Sequence, residues 1–244
     1  MSSDETTYDV WQPGNTPAEA PGPAPTFSIV VPTLGRESLK RTIASIAGQL
    51  RSGDEILVEC LVTNDGGNAA RQRGIEAATS SHIIFCDDDD VFVPGAIGVM
   101  RRFAAEHPRA IGIFRRGFNA GPPQWREPIL RAGNVQSQGF LVPNVKGKLG
   151  VWGVKSRDPV EQAALEARGV RHWTDVHFVN ETAELQGARV IFCDVIVGYA
   201  RPERNPLRRL RYRLKIRTRV RELLSRRAQR DAGPRPDLPP SRPT

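Results

Sequence analysis

The sequence predicts an α/β fold: a mostly parallel sheet with helices on its faces. Three observations predict it. Apolar runs alternate with segments of helical spacing in the order β-α-β-α-β-α, the pattern that builds a parallel sheet. The runs beginning at Phe27, Ile56 and Ile83 are nearly continuous in apolar residues, as strands covered on both sides are. The chain has 244 residues, enough for one sizeable α/β domain with tails.

Residues 1–25 are rich in Pro, Ala, Gly and acid, and by composition they read as a disordered leader. Order is expected from Phe27, where Phe27 to Pro32 forms a central strand. Leu39, Ile43, Ile46 and Leu50 recur at helical spacing and predict the first helix. Ile56 to Val62 is the second strand, ending in the turn signal Asn64-Asp65-Gly66-Gly67. A helix from Asn68 to about Thr79 leads to the third strand, Ile83 to Cys86. Pro94 suits the first position of the next helix, which carries Ile97, Met100 and Phe103 on one face. Ile111 to Phe114 and Phe140 to Val142 read as short strands. Between them, Gly121-Pro122-Pro123-Gln124-Trp125 reads as a loop with an exposed aromatic. Helices are expected from Pro159 to Ala167 and from Thr174 to about Leu185, then a last strand from Arg189 to Tyr199. The body therefore spans 26–205.

The formal net charge is +8. Between Leu207 and Arg230 there are eleven Lys or Arg and one acid, a local +10, so the rest of the chain carries −2. The basicity belongs to one segment. Residues 206–231 read as an amphipathic helix with Leu207, Leu210, Leu214, Val220, Leu223 and Leu224 near one face. Such a helix suits an anionic membrane surface first. Docking on the acidic body and nucleic-acid binding are the other readings, with nucleic acid the less favoured partner. Residues 232–244 are Pro-rich and read as a disordered tail. No apolar run is long enough to span a bilayer, and the polar, acidic opening residues are not a secretory signal. Cys60, Cys86 and Cys193 are far apart and form no CxxC pair. The reading is a reduced, cytoplasmic protein with buried thiols, peripheral on the membrane where its basic helix engages.

Asp87 to Asp90 follow the apolar run Ile83-Ile84-Phe85-Cys86. Four carboxylates in one loop raise each other's pKa unless a cation or an arginine compensates. Clustered carboxylates suit Mg²⁺ or Mn²⁺, and an ion held by one or two of them keeps open positions for a diphosphate. The plainer reading is a solvated acidic turn. Position argues against it, because open α/β sheets bind ligands at the carboxyl ends of their strands. In a parallel sheet, Pro32-Thr33, Asn64-Asp65 and Asp87 to Asp90 all fall at that one edge.

Val30-Val31-Pro32-Thr33, Asn64-Asp65-Gly66-Gly67, Ala70-Arg71-Gln72-Arg73-Gly74-Ile75 and Phe85-Cys86-Asp87-Asp88-Asp89-Asp90 together resemble the family 2 glycosyltransferases of the GT-A fold. The resemblance runs from about Phe27 to Phe103. It implies a Rossmann-like GT-A domain and a metal-dependent, inverting transferase moving a sugar from a nucleoside-diphosphate sugar, a UDP-sugar by preference. Asp87 and Asp89 match the two acids of the family's DxD motif and are implied metal ligands, Mn²⁺ or Mg²⁺. Pro32, Thr33, Asn64, Asp65, Arg71, Asp87 and Asp88 are implied donor-site residues. Asn64 departs from the family, which usually has an acid there. Asp175, after Trp173-Thr174, resembles the family's catalytic base, with Thr174 in place of the usual Glu. An inverting displacement needs such a carboxylate to take the acceptor hydroxyl's proton. The plainer reading of Asp175 is an acid favoured by the helix dipole. Arg201 and Arg204 are candidates to approach the diphosphate. His172 and His177 flank the proposed base. Trp125 and Trp152 are candidate sugar platforms, with core packing the better reading of Trp152.

The implied partners are the donor and an acceptor hydroxyl on a saccharide, a lipid-linked molecule or another carrier. One alternative is a degenerate, non-catalytic GT-A protein that binds membrane or nucleic acid through its basic tail. Another is a haloacid-dehalogenase-type phosphatase built on Asp87 and Asp89, disfavoured because two βα units precede the motif.

Overall fold

The computed structural model describes residues 8–14, 24–61, 66–118, 121–131, 133–153 and 174–202. Asn64, Asp65, His172, Trp173, Arg204, the helix expected at 159–167 and both segments expected after 206 lie outside the described residues. The described residues all fall in one compact unit, which ends at Pro202.

That unit is built on an eight-stranded mixed sheet. In chain order the elements are β1 (Asp9–Trp11), β2 (Phe27–Thr33), α1 (Ser38–Ala47), β3 (Glu55–Cys60), α2 (Asn68–Ala77), β4 (His82–Phe85), β5 (Val91–Phe92), α3 (Ala96–Glu106), β6 (Ile111–Phe118), β7 (Phe140–Pro143), α4 (Thr174–Gln186) and β8 (Val190–Ala200). The strands lie in the order β1-β8-β6-β7-β4-β2-β3, with β5 pairing to the end of β8. β4, β2 and β3 run parallel, as do β1, β8 and β6. β7 runs antiparallel between the two sets, joining β4 to β6.

Every residue of β2 is buried, as its continuous apolar run requires of a central strand. Its side chains alternate between two cores. Ile29 and Val31 pack with Ile46 of α1 and with Ile97, Met100 and Phe103 of α3. Val30 packs on the other face with Ile75 of α2 and Phe178 of α4. Helices therefore cover both faces. Gly74 lets α2 close on the sheet: a Cβ there would run into the Val30 side chain.

Five expectations need correction. The leader is not wholly disordered, because β1 pairs in parallel with β8 from Asp9↔Ile191 to Trp11↔Cys193. Trp11 is buried, meets Phe103 edge-on with ring centroids 5.4 Å apart, and donates its indole N–H to Glu106 Oε2 at 2.7 Å. One anchoring aromatic does this, and the surrounding Pro-Ala-Gly composition conceals it. Trp125 is not exposed. It is buried, its indole N–H donates to the Ile113 carbonyl at 2.9 Å, and the Arg115 guanidinium covers its ring at 4.2 Å. Cys60 is exposed, at the far end of the edge strand β3, where Val58 on the same face is exposed too, while Cys86 and Cys193 are buried. Pro94 stands in the turn before α3, which begins at Ala96 after Gly95 in the left-handed region, φ 84°. β6 runs four residues further than its apolar run, through Arg115-Arg116-Gly117 to Phe118. Its register with β8 shifts at Phe114/Arg115 and again at Arg115/Arg116. Such irregularities re-aim side chains.

Candidate active site

The site stands at the carboxyl ends of β2 and β4, neighbouring parallel strands. Thr33 Oγ1, at the end of β2, donates to Asp88 Oδ2 at 2.7 Å. The Leu34 N–H donates to the same oxygen at 3.1 Å, and the Gly35 N–H to Thr33 Oγ1 at 2.9 Å. These bonds fold the β2–α1 loop over the aspartates. Pro32 is buried in β2, opposite Glu59 of β3. Of the β3–α2 turn, Gly66 and Gly67 are described, and the Gly66 carbonyl accepts from Arg71 Nη1 at 3.0 Å.

The aspartates alternate. The side chains of Asp88 and Asp90 are 4% and 0% exposed, against 33% for Asp87 and 16% for Asp89. Asp88 and Asp90 point inward and brace the loop. Asp87 and Asp89 reach the surface of the site. The run lies beyond the end of β4, in a turn at Asp88-Asp89 closed by the Asp90 N–H donating to the Asp87 carbonyl at 3.0 Å.

Each aspartate meets an arginine, and each arginine comes from a different element. Arg71 Nη2 of α2 donates to Asp87 Oδ1 at 2.5 Å, and its Nη1 to the Gly66 carbonyl at 3.0 Å. Arg36 Nη1 spans Asp88 Oδ1 at 3.1 Å and Asp89 Oδ2 at 3.0 Å. Arg201 Nε lies 3.0 Å from that same Asp89 Oδ2. Arg116 Nη2 pairs with Asp90 Oδ2, and the Arg201 N–H donates to Asp90 Oδ1 at 3.0 Å. Burial opposes the charge on Asp87, but Arg71 and Arg116 outweigh it and hold its pKa below the usual carboxylate range. Asp90 goes the other way: burial pushes it up to about 6 against the pull of Arg116, with Asp87 and Asp89 adding to the rise. The arginine compensation that four clustered carboxylates require is thus built into the fold.

A stack of side chains ties this edge to α4. The Arg71 guanidinium lies 5.0 Å from the centre of the Trp152 ring. Trp152 stacks on Phe178 at 4.6 Å with the rings 14° from parallel, and Phe178 meets Phe85 of β4 edge-on. Trp152 is therefore core, and its backbone N–H donates to Gln72 Oε1 at 3.1 Å. Asp175 lies in the first turn of α4, three residues before Phe178, and is part-buried. His177 is exposed on the same helix.

Residues 61–161 match the family model described as glycosyl transferase family 2. Solved structures of S. aureus TarS are similar to the chain. TarS 1–349 in complex with UDP shares 17% identity at a TM-score of 0.45, over 72% of this chain and 60% of that one. TarS itself shares 16% at 0.45, over 72% of this chain and 36% of that one. TarS 1–349 in complex with UDP-GlcNAc shares 17% at 0.44, over 74% and 59%. The chain thus spans no more than about three fifths of these proteins' length. No curated protein matches the sequence.

The segment that matches this model contributes to a mixed, mostly parallel sheet covered by helices on both faces, as the sequence predicts. Its donor set suits a hard cation: Asp87 and Asp89 are the two partly exposed carboxylates of the run, and Mg²⁺ or Mn²⁺ needs only one or two of these besides water and phosphate oxygens. Among the described residues no group of three His, Cys, Asp or Glu is gathered, so a metal there would draw its remaining ligands from the donor.

Sequence reasoning passed over Arg36 and Arg116. Arg36 stands three residues beyond Thr33, in the loop that follows the implied donor-site residues Pro32 and Thr33. Arg116 had a stronger signal. An arginine close after a fully apolar strand run needs an acid partner, because charged side chains are rarely buried alone.

Proposed function

We propose that the chain is a nucleotide-sugar-dependent glycosyltransferase of metal-assisted, inverting mechanism. The observation that carries this reading is the alternation of the aspartates within the segment that matches the family 2 model. Asp87 and Asp89 emerge together at the sheet edge while Asp88 and Asp90 anchor the loop.

In this reading Asp87 and Asp89 hold Mn²⁺ or Mg²⁺, which when bound stabilises the negative charge on the departing diphosphate. Thr33 and Asp88 set the β2–α1 loop that borders the nucleoside. Arg71, fixed by Gly66 and Trp152, orients Asp87. Asn64 and Asp65 would face the base, and the donor is a UDP-sugar. Asp175 takes the acceptor hydroxyl's proton as its oxygen attacks the anomeric carbon opposite the diphosphate. The acceptor is a saccharide, lipid-linked or other hydroxyl. Residues 206–230 hold the enzyme to the inner face of an anionic membrane, in the cytoplasm. Liposome binding lost on deleting that segment supports the last point, and unchanged binding refutes it.

The test of the central reading is thermal stability against a panel of nucleoside diphosphates and their sugars, with Mn²⁺, Mg²⁺ or EDTA. A metal-dependent rise for one base, absent in Asp89→Ala, is the expected result. No rise with any ligand would move the chain to a non-catalytic binding role.

A further inference from the structure

The four arginines of the site fall into two kinds. Arg71 and Arg116 have side chains 8% and 9% exposed and pair with Asp87 and Asp90 from buried positions. Arg36 and Arg201 are 46% and 74% exposed, and they converge on one atom, Asp89 Oδ2, at 3.0 Å each. Two guanidiniums on one carboxylate oxygen are more cation than that oxygen needs. Exposed pairs of this kind also separate at little cost, about 1 kcal/mol or less.

Charge shows what would separate them. Four carboxylates and four guanidiniums cancel at this edge. A divalent cation arriving alone at Asp89 meets two positive groups already in place. A diphosphate arriving with it brings the negative charge that those groups prefer, since arginine matches phosphate oxygens well. Arg201 is also built to stay close when its side chain leaves. Its backbone is in the left-handed region, φ 44°, and its N–H is held by Asp90 Oδ1. Non-glycine residues adopt that conformation only where the surroundings enforce it.

Resting on the donor reading above, we propose that Arg36 and Arg201 are an exchangeable clamp on Asp89. They occupy its carboxylate before the donor arrives. They pass to the diphosphate oxygens when a divalent cation takes Asp89. Both are positioning residues for the leaving group. The clamp makes cation and diphosphate bind cooperatively and keeps the cation from occupying the site unaccompanied.

The experiment is titration of the full chain with Mn²⁺, followed by the paramagnetic signal of the free ion, alone and with saturating UDP. Arg36→Gln and Arg201→Gln are compared with the unmodified protein. Removing either guanidinium should tighten Mn²⁺ binding without UDP by about fivefold, the worth of one exposed ion pair. The same change should reduce the gain that UDP confers. A structural lesion would weaken metal binding instead. Arg201→Gln keeps the backbone bond to Asp90 and alters a largely exposed side chain, so it guards against loss of folding. Mn²⁺ affinity unchanged or weaker in both variants would overturn the clamp. If UDP fails to bind the unmodified protein at any Mn²⁺ concentration, the donor reading fails. The titration with Mn²⁺ alone still decides whether the guanidiniums compete for Asp89.

Discussion

Arg116 and Asp90 form an ion pair in the interior behind the active-site loop, with side chains 9% and 0% exposed. The pair joins β6 to the end of the aspartate run, and the Arg201 N–H bonds to the second oxygen of Asp90. Thr42 Oγ1 of α1 donates to the Asp90 carbonyl at 2.7 Å. Three separate elements therefore fix the residue after Asp89, and with it the direction in which Asp89 faces.

Breaking this pair from one side should be costly. Asp90→Asn leaves the Arg116 charge buried without its counter-ion, and such a loss is about 3–5 kcal/mol. The midpoint of urea unfolding should drop accordingly while its slope stays constant. The double variant Asp90→Leu with Arg116→Met should recover much of the loss, because an apolar pair carries no desolvation penalty. A double variant no more stable than Asp90→Asn would show that the charges themselves are needed.

Gly74 tests how tightly α2 must approach the sheet. Alanine is ordinarily the better helix former by about 1 kcal/mol. Here its Cβ would collide with both γ-carbons of Val30. Gly74→Ala should therefore destabilise by about 1–3 kcal/mol, the range for overpacking a filled core. Val30→Ala in the same chain should relieve part of that. Because Arg71 rides on α2, nucleotide affinity should fall with Gly74→Ala and return with the double variant.

His82 gives the fold a pH dependence of definite sign. It is buried in β4 with its ring edge-on to Phe27, and burial lowers its pKa to about 4. The unfolded chain takes up this proton from pH 6.5, the folded chain only near 4. Between those values the unfolded state binds more protons, so stability falls as pH falls through the window. The contribution approaches about 3 kcal/mol across it. His82→Gln removes the titration. Measured by urea unfolding at pH 7 and at pH 4.5, the difference between variant and parent should move in the variant's favour by about 2–3 kcal/mol. A difference that does not change with pH would contradict the assignment to His82.

Much of the site edge was legible because its signals are local. Continuous apolar runs marked β2 and β4, and parallel pairing then obliged Thr33 to meet the aspartates, as its bond to Asp88 shows. The residues that escaped notice depend on distant partners. Trp11 anchors a three-residue strand to β8, about 180 residues away, and leaves no periodicity of its own. Trp125 looked exposed beside two prolines, yet its loop folds back on β6 through the Arg116 and Gln124 backbones. The shifts in β6 that bring Arg116 to Asp90 belong to its register with β8, which no local pattern encodes.

Asp175 carries the sharpest prediction about the chemistry. It stands in the first turn of α4, and that helix is fixed to the site edge through Phe178, Trp152 and Arg71. A carboxylate here serves as base only if it accepts a proton from the acceptor, so its removal should act on turnover and not on donor binding. Asp175→Asn keeps the size and the helix position while removing the basic oxygen. Turnover should fall by about 10²–10⁴-fold, the usual contribution of a general base. The thermal shift given by UDP and Mn²⁺ should stay as in the parent. The acid limb of the pH–rate profile, which reports the base, should disappear from the residual activity. Near-normal turnover in Asp175→Asn would remove the base assignment and leave the helix-dipole reading. Loss of the UDP-induced shift would instead place Asp175 in donor binding.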